Sequence, residues 1–132
     1  MNRIQATITE VSSSGNLSIV KLAVAKIPLS AVILDTIETS PFVQVGNLVS
    51  VLFKETEVTI ADITVERISL RNRFPGEIVE IETGKLLTRL QLKTDAGMIR
   101  ALITTESANE LQLAQGSEVV AMIKTNELML SE

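Results

Sequence analysis

Slid along itself by 70 positions, the chain returns to register with itself from one end to the other. Asn2-Arg3 falls on Asn72-Arg73, Ile8 on Ile78, Glu10 on Glu80, Leu17 on Leu87 and Leu22 on Leu92. Further on, Ala31 meets Ala101, Ile33 meets Ile103, Gly46 meets Gly116, Val49 meets Val119, Lys54 meets Lys124 and Glu57 meets Glu127. The alignment carries 12 identities in 62 pairs without a gap. Where identity fails, apolar type often persists, as with Val11 and Ile81. A repeat of this kind means that one structural unit is built twice, and any fold must honour it.

Each unit reads as short strands. In the second copy, 77–82 and 86–93 alternate apolar and polar residues around Gly84, which predicts a hairpin. Asp95-Ala96-Gly97 signals a turn before a strand over 98–103. Ser107 to Glu110 has capping-box spacing, which predicts a short helix through Leu113 stopped by Gly116. Strands over 119–124 and 127–130 complete the unit, and Ser40-Pro41 begins the corresponding helix of the first copy. With only three Phe and no Trp or Tyr, the core must come from Val, Ile and Leu, which favours strands. The expected fold is mainly β: two tandem small OB-like five-stranded barrels, each with one short helix, over 1–68 and 69–132. A barrel this small buries little of its surface, so two should pack together, and the aliphatic surface points to a homo-oligomer.

What the chain lacks narrows its chemistry. Without Cys or His there is no thiolate site, no zinc site of the usual donors and no His-based triad. A non-catalytic protein is expected. The net charge of −4 and the missing stacking platforms argue against nucleic acid as partner. No apolar run has the length of a membrane span and MNRIQATITE has no signal-peptide core, so a cytoplasmic protein away from membranes is expected.

Three blocks of the second copy carry more than fold. At the midpoint stands Ser69-Leu70-Arg71-Asn72-Arg73-Phe74-Pro75-Gly76, which reads as a donor-rich joint closed by a Pro-Gly turn. Ile103-Thr104-Thr105-Glu106-Ser107 follows, and then Gly116-Ser117-Glu118-Val119 with Ile123-Lys124-Thr125. In content and spacing these blocks resemble the Mop domain, the TOBE-type module that binds molybdate or tungstate, over residues 69–132. Two fused copies resemble the di-Mop arrangement. The resemblance implies an oxyanion site between Mop units, commonly in a trimer of two-domain chains. It places Ser69, Arg71, Asn72, Thr104, Ser107, Lys124 and Thr125 around the anion, with molybdenum or tungsten held as the oxyanion and not through direct metal ligands.

Those residue types suit the ligand. Molybdate is a tetrahedral dianion without a proton at neutral pH, so its site should offer donors only. Hydroxyls, N–H groups at the helix start, the Arg71 fork and the Lys124 ammonium all donate. Hydrogen phosphate, which carries a proton needing an acceptor, should be refused.

The first copy departs from the pattern. Leu34 stands where Thr104 does, Ile37 where Ser107 does, and Glu55 follows Lys54 where Thr125 follows Lys124. The Ser-x-Arg element has no counterpart, because Arg71 aligns with Met1. The first copy is therefore expected to act mainly as a structural partner, with Lys54 available to a site held by a neighbour. Taken one at a time, Ser107 is a helix cap, Lys124 a solvated strand end and the arginines linker charges; the joint spacing outweighs those readings. Storage, buffering or homeostasis of molybdate or tungstate is the leading expectation. The ligand-sensing part of a molybdate-responsive transcription regulator or transporter ATPase is second, although 132 residues leave no room for a helix-turn-helix or a P-loop. An oligonucleotide-binding barrel is third, on fold alone.

Overall fold

The computed structural model describes residues 1–36 and 38–132. Among the described residues ten strands form two five-stranded antiparallel sheets. The first half contributes β1 (Asn2–Ser14), β2 (Leu17–Val24), β3 (Ile27–Ile33), β4 (Leu48–Phe53) and β5 (Thr59–Asp62). The second contributes β6 (Asn72–Thr83), β7 (Leu87–Thr94), β8 (Gly97–Thr104), β9 (Glu118–Ile123) and β10 (Met129–Ser131), with one helix, α1 (Thr105–Glu110), after β8. Short 3₁₀ turns, Glu55–Glu57 and Thr125–Glu127, precede β5 and β10. Strand alternation is clean in β1, where Asn2, Ile4, Ala6 and Ile8 are buried and the residues between them exposed.

The halves exchange their last strands. The sheet orders are β10-β4-β1-β2-β3 and β5-β9-β6-β7-β8, so each sheet is completed by a strand from the other half. The exchange is symmetric in register: Thr59 pairs with Met122 and Ile60 with Ala121, while Met129 pairs with Leu52 and Leu130 with Val51. Each exchanged strand covers what would otherwise be an open edge of β4 or β9. The bulges repeat as well, between Ile8 and Glu10 in β1 and between Ile78 and Glu80 in β6. They bend the long strands so that one strand serves both faces of its barrel.

One hydrophobic core runs through both halves, from Ile4 and Val20 to Ile123 and Leu128. At its centre Phe53 of β4 and Phe74 of β6, both fully buried, stack with centroids 6.1 Å apart. Such a pair adds about 1 kcal/mol beyond the area it buries. Two buried amides cross the same boundary. Asn72 Oδ1 accepts from Ser30 N–H at 2.7 Å, and Asn72 Nδ2 donates to the Ser30 and Ile123 carbonyls. Asn2 repeats the clasp on Arg100, accepting from its N–H at 2.9 Å and donating to its carbonyl at 2.8 Å.

Three local expectations are corrected. Pro75-Gly76 is not a turn: both residues lie within β6, opposite Val120 and Val119 of β9. The register of β7 against β6 begins at Gly76, so Pro75 owes no N–H on that side. Gly76 is required by closeness, since a Cβ there would stand 2.7 Å from the Lys93 carbonyl oxygen. In the first half, turns occupy residues 38–39 and 41–42 where a helix was expected. Side chains compete for the backbone there, with Thr36 N–H donating to Thr39 Oγ1, and Pro41 supplies no N–H for a further helical bond. In the second half the helix begins earlier than expected and ends at Glu110 rather than Leu113. Its cap is Thr104, and Ser107 lies inside the first turn.

Candidate oxyanion site

The candidate donors fall into three segments, and register decides how they meet. Asn72 opposes Ile123 in the β6–β9 pair. Arg71 immediately precedes the first and Lys124 immediately follows the second, so Ser69–Arg71 and Lys124–Thr125 flank the same end of that pair. Asn72 ties the two together through its bond to the Ile123 carbonyl, 3.0 Å long. Its own role is corrected by this geometry. The residue is fully buried, both N–H groups of its amide are engaged with backbone carbonyls, and none is left for an anion.

Ser69, Arg71 and Lys124 are exposed and Thr125 is half-buried. Arg71 donates from Nη2 to the Ile68 carbonyl, which pins the side chain to its own segment. Arg73 donates from the same strand end to the carbonyls of Glu66, Ile68 and Leu70. Among the described residues neither arginine forms an ion pair with a carboxylate, and neither does Lys124. This end of the second sheet therefore carries positive charge that no internal anion neutralises.

Thr104 and Ser107 lie elsewhere. Thr104 opposes Leu87 at the start of β7, beside the far end of β6, where Thr83 meets Thr88. Eleven residue steps of β6 separate that end from Asn72, roughly 36 Å of strand contour. Thr104 Oγ1 accepts from Ser107 N–H at 3.1 Å and donates to Ser107 Oγ at 2.8 Å. The Thr105 N–H is held by the Leu86 carbonyl. Of the expected donors at this helix start, the Thr104 hydroxyl and two backbone N–H groups are thus already engaged, while the Ser107 hydroxyl proton stays free.

A groove of ≈ 610 Å³ runs past this pair, lined also by Thr56, Ile60 and Leu111. Thr56 arrives on the first half's 3₁₀ turn, which packs against β8. The groove's counterpart under the repeat lies by Leu34, Phe42, Leu128 and Met129, with Asp35 and Ser40, and has no threonine at the place of Thr104. Leu34 is 73% exposed in the place of Thr104. Ile37, the counterpart of Ser107, is outside the described residues. Glu55, in the place of Thr125, has its carboxylate 3.8 Å from Arg89 Nε.

A single chain therefore brings Ser69, Arg71, Lys124 and Thr125 to one end and Thr104 with Ser107 to the other. Thr56 and Arg73 were not singled out from the sequence. The signal for Arg73 was its place within the donor-rich joint; Thr56 had none, because it belongs to the copy whose motif is degenerate.

Comparison with known proteins agrees with this architecture. Residues 68–130 match the TOBE domain. Molybdenum-pterin-binding protein 1 of Clostridium pasteurianum is 31% identical over 64 residues, 48% of this chain and 94% of that protein. The chain belongs to the TOBE-type Mop family. Molybdenum-pterin-binding protein MopB of Rhodobacter capsulatus is 36% identical over 88 residues, 65% of this chain, and this chain spans 33% of it. The fold of the whole chain is shared with the cytoplasmic molybdate-binding protein ModG, solved with molybdate bound. The TM-score is 0.89 at 25% identity, over 98% of this chain and 94% of that one. The di-Mop arrangement of two related units in one chain is thus a property of this family member.

Proposed function

We propose that this chain binds molybdate or tungstate, without catalysis, for storage, buffering or homeostasis in the cytoplasm. The observation that carries the reading is the unneutralised cluster of Arg71, Arg73 and Lys124 beside Ser69 and Thr125. The second sheet's other end adds the Ser107 hydroxyl, in a groove that Glu110 also lines. The molybdate bound by ModG, which shares this fold, supports the same ligand class.

Because the two donor groups stand at opposite ends of one sheet, the complete cage forms between copies. Ser69, Arg71, Lys124 and Thr125 of one chain meet Thr104 and Ser107 of the next, and a closed ring of three chains satisfies this head-to-tail contact. Residues 69–132 supply all six. Charge-assisted hydrogen bonds contribute about 1.5–3 kcal/mol each, enough together for tight binding of a small dianion. Sulfate, equally free of protons, is discriminated by size.

Titration calorimetry with molybdate, tungstate, sulfate and phosphate tests the reading. Strong heats with the first two, weaker with sulfate and little with phosphate are expected; phosphate binding as tight as molybdate contradicts it. Because this chain spans a third of MopB, the alternative is a ligand-sensing part of a longer regulator or transporter. The anion site is the same in that reading.

A further inference from the structure

The connection from β5 to β6 has more chain than its path requires. Both strands pair antiparallel with β9, on opposite sides of it, so they run parallel to each other. β5 ends opposite Val119 and β6 begins opposite Ile123. The return covers four residue steps, roughly 13 Å, and crosses two strand spacings, about 10 Å. Residues 63–71 do this with nine residues, which could extend about 30 Å. Slack of that size lets Ser69 and Arg71 wander unless something gathers it.

Arg73 gathers it. Its Nε reaches the Leu70 carbonyl at 3.0 Å, Nη2 the Ile68 carbonyl at 3.0 Å and Nη1 the Glu66 carbonyl at 2.9 Å. Three alternate carbonyls turned toward one half-buried guanidinium leave the residue between the last two, Ser69, facing solvent. The Ile68 carbonyl also receives Arg71, so the anion-facing arginine is fixed on the same anchor. Arg3, at the same place in the first half, is exposed and makes no side-chain hydrogen bond among the described residues.

The geometry points to Arg73 as a positioning residue for the oxyanion site: its planar fork folds segment 63–71 so that Ser69 and Arg71 are held in place for the ligand. This rests on the proposed anion site, and it assigns to Arg73 a role distinct from contact with the anion. Charge alone does not fulfil it. A lysine keeps the charge but cannot reach three carbonyls in one plane.

The test compares the unaltered chain with Arg73→Lys and Arg3→Lys. Molybdate affinity is read by calorimetry, thermal midpoint by circular dichroism, and cleavage after Arg67 by limited trypsin digestion with mass-spectrometric mapping. Arg73→Lys should bind molybdate roughly tenfold more weakly, because the donors must be ordered on binding, with a nearly unchanged midpoint. It should also be cut after Arg67 faster than the unaltered chain, while Arg3→Lys changes neither property. Equal affinity and equal cleavage in Arg73→Lys overturn the inference. No molybdate binding by the unaltered chain overturns the anion reading instead, and the cleavage comparison then decides the clasp by itself.

Discussion

Asn2 and Asn72, equivalent under the 70-residue repeat, reach in opposite directions across the boundary between halves and close the same two-bond ring. Asn72 closes it on Ser30 and Asn2 on Arg100, themselves equivalent positions. The repeat thus extends to the polar contacts that join the copies. Buried amides satisfied this fully fix one arrangement, because any slip leaves a backbone N–H and carbonyl unpaired in the core.

Asn72→Ala should therefore cost more stability than Asn2→Ala. The first leaves Ser30 and Ile123 groups without partners, a loss of roughly 3 kcal/mol. The second abandons only the Arg100 pair. Urea unfolding monitored by circular dichroism reads both; equal midpoints in the two variants contradict the ranking, and midpoints equal to that of the unaltered chain show that the amides do not bear on stability.

The strand exchange has a consequence for the separated halves. Residues 69–132 alone would expose the β9 edge that β5 covers and leave β10 without its partner β4. That fragment should dimerise by reciprocal exchange, giving twice its mass in light scattering. A stable monomeric fragment contradicts the exchange.

Ser107→Ala and Lys124→Ala should each weaken molybdate binding by roughly tenfold or more while the circular dichroism spectrum stays unchanged. Thr104→Val differs in kind. It also removes the helix cap, so about 1 kcal/mol of stability goes with the affinity. Calorimetry beside thermal melting separates the two effects.

The loss of the Thr104 hydroxyl from the counterpart groove, where Leu34 stands, sets the stoichiometry. With Leu34, Phe42 and Met129 where the other groove has Thr104 and Ser107 nearby, the first half should hold no molybdate of its own. Native mass spectrometry of the loaded assembly should show fewer than two oxyanions per chain. Two full equivalents contradict the account.

Much of this was legible in the residues. The repeat shift, read from identities such as Gly46 with Gly116, reappears in bulges, register and buried amides. The β7–β8 hairpin begins and ends within a few residues of its alternation pattern. The exchange was not legible, because the alternation of β5 and β10 is the same whichever half they pair with; only packing across the boundary selects the partner. Pro75-Gly76 misled because its usual turn chemistry is local, whereas here β9 on one side and the Lys93 carbonyl on the other hold it extended. At the site, donor types were readable but not their division. Ser107 has the composition of a cap, yet Thr104 three residues earlier wins that place, and the Asn72 amide turns inward to the backbone.

The central claim is that donors from two ends of the second sheet, supplied by neighbouring copies, enclose a fully ionised metal oxide. Crystals grown with tungstate and measured at the tungsten absorption edge test it most directly. Anomalous density is expected between Arg71 and Lys124 of one copy and Ser107 of the next, with none beside Leu34. Absence of density near those residues, or density in the Leu34 groove, contradicts it.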